Sequence, residues 1–332
     1  MGFPILNLPL VPFRDILRML EFKDLISLSF CSQQSRVQTK QNMYKLKDWE
    51  ICVAVDWRNG IIFRKGNVEE HVLGVLLYED FVNRPNWRSR IQYCQGFHVA
   101  MNVNGYLSSF WLNIANGMYG VWKYVTELFR KDVEMIRFYN STTWAMNLPM
   151  MFGQRTVPKT HFKNEGNIFL QRNSLIKVLE ECSSEHLQIT NCLFDDRDIR
   201  IERFGNYRIF EVNSGLWITV NQLTRMKCSK ISIGWSKWNN SDANKFLKHW
   251  IYNRDMPNLE WLNIRLWCGH VREQAILDEL GEFVTRTGNK RRFQKYNENF
   301  TFNGLEIRNK SGSRASIHVD DGSRTLRMAV WK

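Results

Sequence analysis

Cysteine, histidine and aspartate are the residues of this sequence best suited to binding a metal ion. They form three loose groups: Cys182 with His186 and Cys192, Cys268 with His270, and Asp195 and Asp196 with Asp198. Zinc sites use closely spaced ligand pairs, and neither cysteine-containing group has them. Arg197 lies inside the acidic group, which favours a self-compensated turn over a cation site. We therefore expect no metal site and no cofactor.

The local signatures of the common enzyme classes are missing from the sequence. It contains no Gly-rich phosphate loop, no Gly-x-Ser-x-Gly elbow, no His-Glu-x-x-His pair and no kinase-like set. A catalytic site dispersed along the chain would leave no such signature. The absence of every local motif nevertheless favours a non-catalytic protein that acts by binding.

The net charge of +13 and the pI near 9.5 suggest an anionic partner. The densest basic run is Lys290-Arg291-Arg292 with Lys295, and it includes Phe293 and Tyr296. Basic residues interleaved with aromatic residues can bind a nucleic-acid strand, although a solvated loop or a nuclear-localisation patch is the more common interpretation of such a short run. A basic nucleic-acid-binding protein whose N-terminal helices are a structural cap is therefore the alternative function, and it is the less favoured one.

The residues from Phe3 to Val37 are predicted to form short helices. Pro12 suits a first helical turn, and Phe13, Ile16, Leu17 and Leu20 fall at i, i+3, i+4, i+7 on one face. In the next helix, predicted to begin near Lys23, the apolar residues span about 200° of the circumference. Such a helix needs a cover on two sides, which either a partner or the rest of the chain must supply.

This stretch resembles an F-box. The matching residues are, in order, Leu8-Pro9, Ile16-Leu17, Leu20, Asp24-Leu25-Ile26, Leu28-Ser29, Cys31-Ser32 and Ser35-Arg36. The resemblance implies that the helices bind a Skp-type adaptor and, through it, a cullin scaffold. Seven residues are expected to face either the adaptor or the core, and the sequence does not divide them: Leu8, Pro9, Ile16, Leu17, Leu20, Leu25 and Leu28. The alternative is a helical cap that packs on its own downstream domain.

A strand-rich connecting region is predicted over residues 45–117, after the F-box of residues 1–44. An Asn59-Gly60 pair between two β-rich runs predicts a hairpin, and Asn104-Gly105 predicts another tight turn. The predicted strands of this region are 49–55, 61–64, 71–78, 96–103 and 107–112.

Helix–strand units are predicted to follow from residue 118 to the C-terminus. A strand pattern with apolar anchors recurs at Ile136, Leu187, Ile231 and Leu262. The pattern is similar to a degenerate leucine-rich repeat, although the intervals between the anchors are longer and less regular than such repeats normally have. The alternative is an ordinary α/β domain. The predicted fold is thus mixed: a small all-α N-terminal part, then an α/β domain with β-hairpins at its start and at its C-terminal end.

The unit from Lys227 to Leu266 has the clearest pattern, with Ser241 as a possible cap of the central helix. Its sequence resembles the F-box-associated domain of the large nematode F-box family. The matching segments are 223–233, 242–251 and 257–262, followed by 305–317 and 328–331. We therefore predict an F-box-associated domain over residues 118–332, with the best match at 223–266.

The two resemblances together imply the substrate-recognition subunit of a Skp-cullin-F-box ubiquitin ligase, which brings a target protein close to a conjugating enzyme without making a bond itself. If the strands line a concave wall, the residues that alternate with the anchors face the target. The candidate target-binding residues are Trp235, Trp238, Trp261, Asn263, Arg265 and Trp267.

The cellular compartment is inferred from what the sequence lacks. It contains no run of about 18 apolar residues, no secretory leader and no Cys-x-x-Cys pair among its seven cysteines. We expect an intracellular protein, in the cytoplasm or the nucleus, with no membrane contact.

Overall fold

The structure of this chain, a computed structural model, divides into two compact units, residues 1–158 and 159–332. We call them unit 1 and unit 2. The described residues are 8–42, 48–55, 59–82, 92–94, 97–101, 107–148, 156–163, 168–190, 199–253, 256–267 and 269–331. The predicted turns at 56–58 and 104–105, and the candidate ligands Cys192, Asp195, Asp196, Asp198 and Cys268, lie outside them.

Three short helices open unit 1, as predicted: α1 (Leu10–Met19), α2 (Phe22–Cys31) and α3 (Gln33–Asn42). α1 begins at Leu10, so that Pro12 lies in its first turn, where a missing N–H is tolerated. Phe13 and Leu17 are the buried residues of its apolar stripe. α2 begins with Phe22, one residue earlier than predicted, and it buries one face.

Seven strands follow in unit 1, and they are hydrogen-bonded side by side in the order β7-β1-β2-β3-β6-β5-β4. Its strands are β1 (Glu50–Val55), β2 (Gly60–Lys65), β3 (Val68–Leu77), β4 (Gln92–Cys94), β5 (Phe97–Met101), β6 (Leu107–Trp111) and β7 (Met135–Tyr139). β1 and β2 pair antiparallel, as the hairpin prediction required. β1 and β7 pair parallel, with Val53 opposite Ile136.

Helices α4 (Tyr78–Val82) and α5 (Ile114–Phe129) and a 3₁₀ segment (Asn140–Asn147) complete unit 1. α5 begins well before its predicted start at Tyr119, because the Asn113 side chain caps it by accepting a hydrogen bond from the backbone N–H of Asn116. The helix, its preceding strand-rich region and the Ile136 strand therefore belong to one compact unit. The contacts divide the chain at residue 158, whereas the sequence placed the start of the C-terminal domain at residue 118.

Nine strands of unit 2 are hydrogen-bonded side by side in the order β13-β16-β17-β18-β12-β11-β10-β9-β8. Its strands are β8 (Val157–Lys163, which starts two residues before the unit boundary), β9 (Ser184–Thr190), β10 (Ile209–Val212), β11 (Lys230–Ile233), β12 (Trp261–Arg265), β13 (Val284–Arg286), β16 (Leu305–Arg308), β17 (Arg314–Asp320) and β18 (Thr325–Trp331). β14 (Arg291–Lys295) and β15 (Glu298–Phe302) form a separate hairpin. The helices are α6 (Ile168–Glu181), α7 (Val220–Thr224), α8 (Asn240–Tyr252) and α9 (Glu273–Ile276).

Four neighbouring strands of unit 2, β9 to β12, are parallel and keep one register. Leu187 lies opposite Phe210, Phe210 opposite Ile231, and Ile231 opposite Leu262. Three of the four predicted anchors are therefore aligned, and Phe210 is an additional anchor on β10, a strand that was not predicted. All four side chains are fully buried.

Helix α8 is formed where it was predicted, but a different residue caps it. Asn239 is the N-cap, and its side chain and that of Asp242 exchange hydrogen bonds with each other's backbone N–H groups at 3.0 and 3.1 Å. This reciprocal capping box satisfies two N–H groups at once, which the isolated hydroxyl of Ser241 could not do. The prediction that Ser241 caps the helix is therefore wrong.

No helix within the described ranges combines the length and the apolar character needed to cross a membrane.

Candidate protein-interaction surfaces

The inner face of the F-box-like helices is packed against the sheet and helix α5 of unit 1. The ring of Phe22 contacts those of Trp49, Phe63 and Phe129, with centroid separations of 5.0, 4.4 and 6.1 Å. The first N–H groups of α2, on Phe22 and Lys23, donate to the carboxylate of Glu70 on β3 at 3.0 and 3.4 Å. This carboxylate caps a helix whose own N-cap residue, Glu21, does not cap it with its side chain.

Tyr124 on α5 is a second anchor for these helices. Its hydroxyl lies 2.6 Å from that of Ser29, and its ring stacks on Phe30 with centroids 4.8 Å apart. The guanidinium of Arg36 on α3 lies over the same ring and also pairs with Glu127 at 3.1 Å. The downstream part of unit 1 therefore supplies one of the two covers that the apolar spread of α2 required.

The outer face of α1 carries exposed apolar side chains. Val11 is 68% exposed and Met19 is 84% exposed. At 100° per residue, Val11, Pro12 and Met19 lie within about 100° of each other, on the side opposite the buried Phe13 and Leu17. We call this surface, defined by Val11, Pro12 and Met19, the outer α1 face.

The seven predicted F-box residues divide into buried and partly accessible groups. Leu17 and Leu25 are buried in the core of unit 1, so these two are not available to a partner. Leu8, Ile16, Leu20 and Leu28 are half-buried, and Pro9 is exposed. Val11 and Met19 are not among the predicted residues, because the motif that carries the resemblance does not include them.

Two of the six predicted target-binding residues belong to the core of unit 2, which corrects their expected exposure. Trp261 is covered by the β14–β15 hairpin, where it stacks on Phe293 at 4.7 Å between centroids and contacts the edge of Phe302. Trp238 is also buried, and its indole N–H donates to the carbonyl oxygen of Ile218 at 2.8 Å. The face of β12 that carries Trp261 is therefore not open at this position.

The other predicted residues remain at least partly accessible. The guanidinium carbon of Arg265 lies 3.6 Å from the ring centroid of Trp235, and Trp267 meets the same indole edge-on at 6.0 Å. Trp267 is 63% exposed, whereas Trp235, Asn263 and Arg265 are half-buried. Trp235, Arg265 and Trp267 form what we call the Trp–Arg patch, and both residue types are favoured anchors of protein interfaces.

Replacing Trp267 by Ala should leave the free energy of unfolding within about 0.5 kcal/mol of the wild-type value, because the side chain is mainly exposed. Urea unfolding followed by circular dichroism measures this quantity. A loss well above about 1 kcal/mol would show that Trp267 supports the fold, and the Trp–Arg patch would then be a packing feature rather than a binding surface.

A network of charged groups lies on the same face of the sheet as Trp261, near the hairpin. Lys230 is almost fully buried, and its ammonium group pairs with Glu211 at 2.8 Å and with Glu298 at 2.9 Å. Glu211 also accepts a hydrogen bond from Nε2 of His186 at 3.0 Å, since an ionised carboxylate cannot donate. The hydrogen bonds from His186 and Lys230 lower the pKa of Glu211 to about 2. Burial alone would lower the pKa of Lys230, but its two carboxylate partners outweigh burial and raise it.

The basic run that suggested nucleic-acid binding forms the β14–β15 hairpin, and carboxylates neutralise part of its charge. Arg291 pairs with Glu306 at 3.1 Å, and Lys295 pairs with Glu260. Phe293 is buried against Trp261 and is not available for base stacking. Part of the positive charge and one of the aromatic rings that suggested nucleic-acid binding are therefore engaged within unit 2.

The candidate metal ligands that the structure describes have other partners. Cys182 is buried beside the hydroxyl of Ser184 at 3.3 Å, and burial raises the pKa of its thiol. His186 binds Glu211, and His270 lies 3.5 Å from Asp321. Within the described ranges, no group of three or more His, Cys, Asp and Glu side chains could hold a metal ion.

Comparison with known protein families gives two matches. A family model for the F-box domain matches residues 5–45, and a family model described as F-box associated matches residues 197–264. The second match covers β10, β11, α8 and most of β12. No curated protein and no solved structure matches the chain. F-box proteins are generally non-catalytic adaptor subunits. The chain therefore carries the two domains of an F-box protein with a C-terminal F-box-associated domain.

Proposed function

We propose that this protein is the substrate-recognition subunit of a Skp-cullin-F-box E3 ubiquitin ligase. The F-box binds a Skp-type adaptor, and through it a cullin scaffold, while unit 2 captures a target protein. The protein makes no bond itself. It raises the concentration of target lysines near a charged ubiquitin, which is sufficient to accelerate a transfer that another subunit catalyses.

The outer α1 face is the observation that carries the adaptor part of the proposal. The chain buries one side of the F-box helices against its own sheet and leaves Val11 and Met19 in solvent. Exposed apolar side chains that lie together mark interaction sites. The two alternatives for the F-box, a cap on its own domain and an adaptor-binding module, are therefore compatible, because they use opposite faces of the same helices.

The target part of the proposal assigns capture to unit 2. Trp235, Arg265 and Trp267, together with Asn263, are the proposed target-contacting residues. We further propose that β9 to β12 form a degenerate leucine-rich-repeat-like segment. Leu187, Phe210 and Ile231 are aligned in one register on three neighbouring strands. In the sequence, Phe210 divides the long interval between the other two anchors into two nearly equal parts. Each part is about 20 residues long, which is the length of a short leucine-rich repeat.

Changing Val11 and Met19 together to Asp should weaken binding of the Skp-type adaptor by about tenfold or more, because each charge would be desolvated in an apolar interface. Both residues are exposed, so the fold should remain intact. Co-purification of the full chain with the adaptor at low and at high salt measures the effect, and circular dichroism checks the fold.

Unit 1 offers a matched control for this experiment. Val68 is 60% exposed and Leu112 is 92% exposed, and both lie outside the F-box. The double change Val68→Asp with Leu112→Asp introduces the same charges on equally accessible apolar residues and should retain the adaptor at wild-type strength. Equal adaptor binding by both double variants would show that the outer α1 face does not contact the adaptor.

A further inference from the structure

A cleft of about 710 Å³ opens in unit 2 near the start of strands β10 and β11, away from the Trp–Arg patch at the opposite ends of the strands. It is lined by residues 202–208 together with Arg225, Lys227, Ser229 and Asn258. Its volume is within the range of about 300–1,000 Å³ that is typical of ligand sites. We call it the basic cleft, and none of the surfaces described above includes it.

The wall of the basic cleft is held in place by backbone hydrogen bonds. The N–H of Gly205 donates to the carbonyl oxygen of Leu179 at 2.7 Å, and that of Asn206 donates to Cys182 at 3.1 Å. A Cβ at position 205 would overlap the carbonyl oxygen of Cys182, so glycine is needed for this close approach. A wall that is fixed before binding loses little entropy when a ligand arrives.

The charge of the basic cleft is positive. Four cations line it, Arg203, Arg208, Arg225 and Lys227, against one carboxylate, Glu202. Arg208 is neutralised by Glu185.

The other three cations have no carboxylate partner among the described residues. Arg225 donates to the carbonyl oxygens of Ile201, at 3.0 Å, and Glu202, and it pairs with no carboxylate of the described residues. Arg203 and Lys227 are exposed, and neither forms a salt bridge with any described residue. Arg225 is thus an oriented cation beside two cations that remain available to a partner.

The polar groups of the basic cleft fit a peptide better than a nucleic acid. Asn206 and Asn258 provide amide groups that can bond to a peptide backbone. Tyr207 is buried and donates its hydroxyl to the carbonyl oxygen of Leu179, while Phe204 is half-buried. Among the described residues that line the cleft there is therefore no exposed aromatic side chain on which bases could stack, and single-strand binding generally uses such stacking.

We infer that the basic cleft binds an acidic peptide segment of the target protein, whose anionic oxygens pair with Arg203, Arg225 and Lys227. This inference rests on the proposed function for the source of the peptide. Guanidinium and ammonium groups bind carboxylate and phosphate oxygens through charge-assisted hydrogen bonds. Acidic side chains and phosphoserines share this chemistry, and the experiment separates them.

The test measures binding to the full chain by fluorescence anisotropy with labelled peptides of equal length. One peptide is rich in Asp and Glu, one carries phosphoserines in a neutral background, and one is the neutral Asn and Gln version. At least one acidic peptide should bind and the neutral one should not. The double change Arg203→Glu with Lys227→Glu should weaken the binding by about tenfold or more, because attraction becomes repulsion.

A matched control changes net charge by the same amount outside the cleft. Lys290→Glu with Arg292→Glu alters two exposed cations of the β14–β15 hairpin and should leave the affinity within about twofold of the wild-type value. Equal losses in both double variants, or equal binding of the neutral peptide, would overturn the inference. So would tighter binding of a single-stranded oligonucleotide that falls steeply with salt.

The same variants separate this inference from the ligase proposal. The Arg203→Glu and Lys227→Glu chain should co-purify with the Skp-type adaptor as well as the wild type does, which also shows that it is folded. A milder double change of both residues to Ala should weaken peptide binding in the same direction. If the wild-type chain holds the adaptor but no acidic peptide, the basic cleft is rejected and the ligase proposal stands. If it binds the peptide but not the adaptor, the ligase proposal fails instead.

Discussion

Replacing Phe22 by Ala should lower the free energy of unfolding of unit 1 by about 3–5 kcal/mol, the usual cost of removing a buried aromatic side chain. Phe22 is 1% exposed and lies among Trp49, Phe63 and Phe129. The cavity would open where the F-box helices meet the rest of unit 1. Domains are generally stable by only about 5–15 kcal/mol, so this single change should remove a large share of the total.

Urea unfolding followed by tryptophan fluorescence measures the loss. Because the chain has two compact units, two transitions can occur, and the expected change is in the one that reports on unit 1. Met19→Ala is the matched control in the same helical segment. Because Met19 is exposed, the free energy of unfolding of the Met19→Ala variant should stay within about 0.5 kcal/mol of the wild-type value.

The outcome decides whether the F-box is part of the unit 1 core. If Phe22→Ala costs less than about 1 kcal/mol, the helices contribute little to that core and the packing on Phe63 and Phe129 is weak. If the expected loss occurs, removing the F-box by starting the chain near residue 45 would give a poor negative control for adaptor binding. The truncation would expose Phe63, Phe129 and Tyr124, and lost binding could then result from unfolding. Charge changes on the outer α1 face avoid this ambiguity.

The F-box illustrates which part of the fold could be predicted from the sequence. Helical periodicity and Pro12 are local signals, and they predicted helices that the structure contains. The division of the apolar residues into buried and accessible groups depends on Phe63 and Phe129, which lie far from Phe22 along the chain. Helical periodicity alone does not contain this information. Leu17 and Leu20 were therefore predicted together as adaptor-facing or core residues, although only Leu17 is buried.

Strand β10 illustrates a signal that was too short to detect. It has only four residues, Ile209–Val212, and Glu211 interrupts its apolar pattern. Without it, the interval from Leu187 to Ile231 looked too long for a regular repeat. The register of β9, β10 and β11 supplies the missing anchor, Phe210. A short buried strand gains its stability from its two neighbours, and a propensity argument about its own residues cannot detect it.

The candidate target-binding residues show the same limit at the level of a side chain. Strand alternation placed Trp261, Asn263 and Arg265 on one face of β12, and their register agrees with this. The β14–β15 hairpin, a later segment of the chain, covers Trp261 but leaves Arg265 beside Trp235 at the other end of the strand. Which residue of a face remains open is thus set by a distant segment.

The charged network under that hairpin leads to the second large effect, a pH-dependent loss of stability on replacing Glu211 by Gln. Hydrogen bonds from His186 and Lys230 lower the pKa of Glu211 from 4.5 to about 2. A carboxylate whose pKa is lower in the folded than in the unfolded state stabilises the fold above its unfolded pKa. That contribution is lost as the pH falls through the folded pKa. The size of the shift corresponds to about 3 kcal/mol above pH 5.

The expected result is a wild-type free energy of unfolding about 3 kcal/mol above that of Glu211→Gln at pH 7, with the difference shrinking as the pH falls from about 5 towards 2. Urea unfolding at a series of pH values measures it. The substitution leaves the buried ammonium of Lys230 with Glu298 as its carboxylate partner, and this lost interaction is part of the expected difference of about 3 kcal/mol. Glu279→Gln is the control, because Glu279 pairs with Lys248 at 2.5 Å on an exposed surface where the pair contributes little. A Glu211→Gln difference that is equally large at pH 7 and pH 3 would locate its cause in packing. In that case, the carboxylate charge would not be what joins β10, β11 and the hairpin.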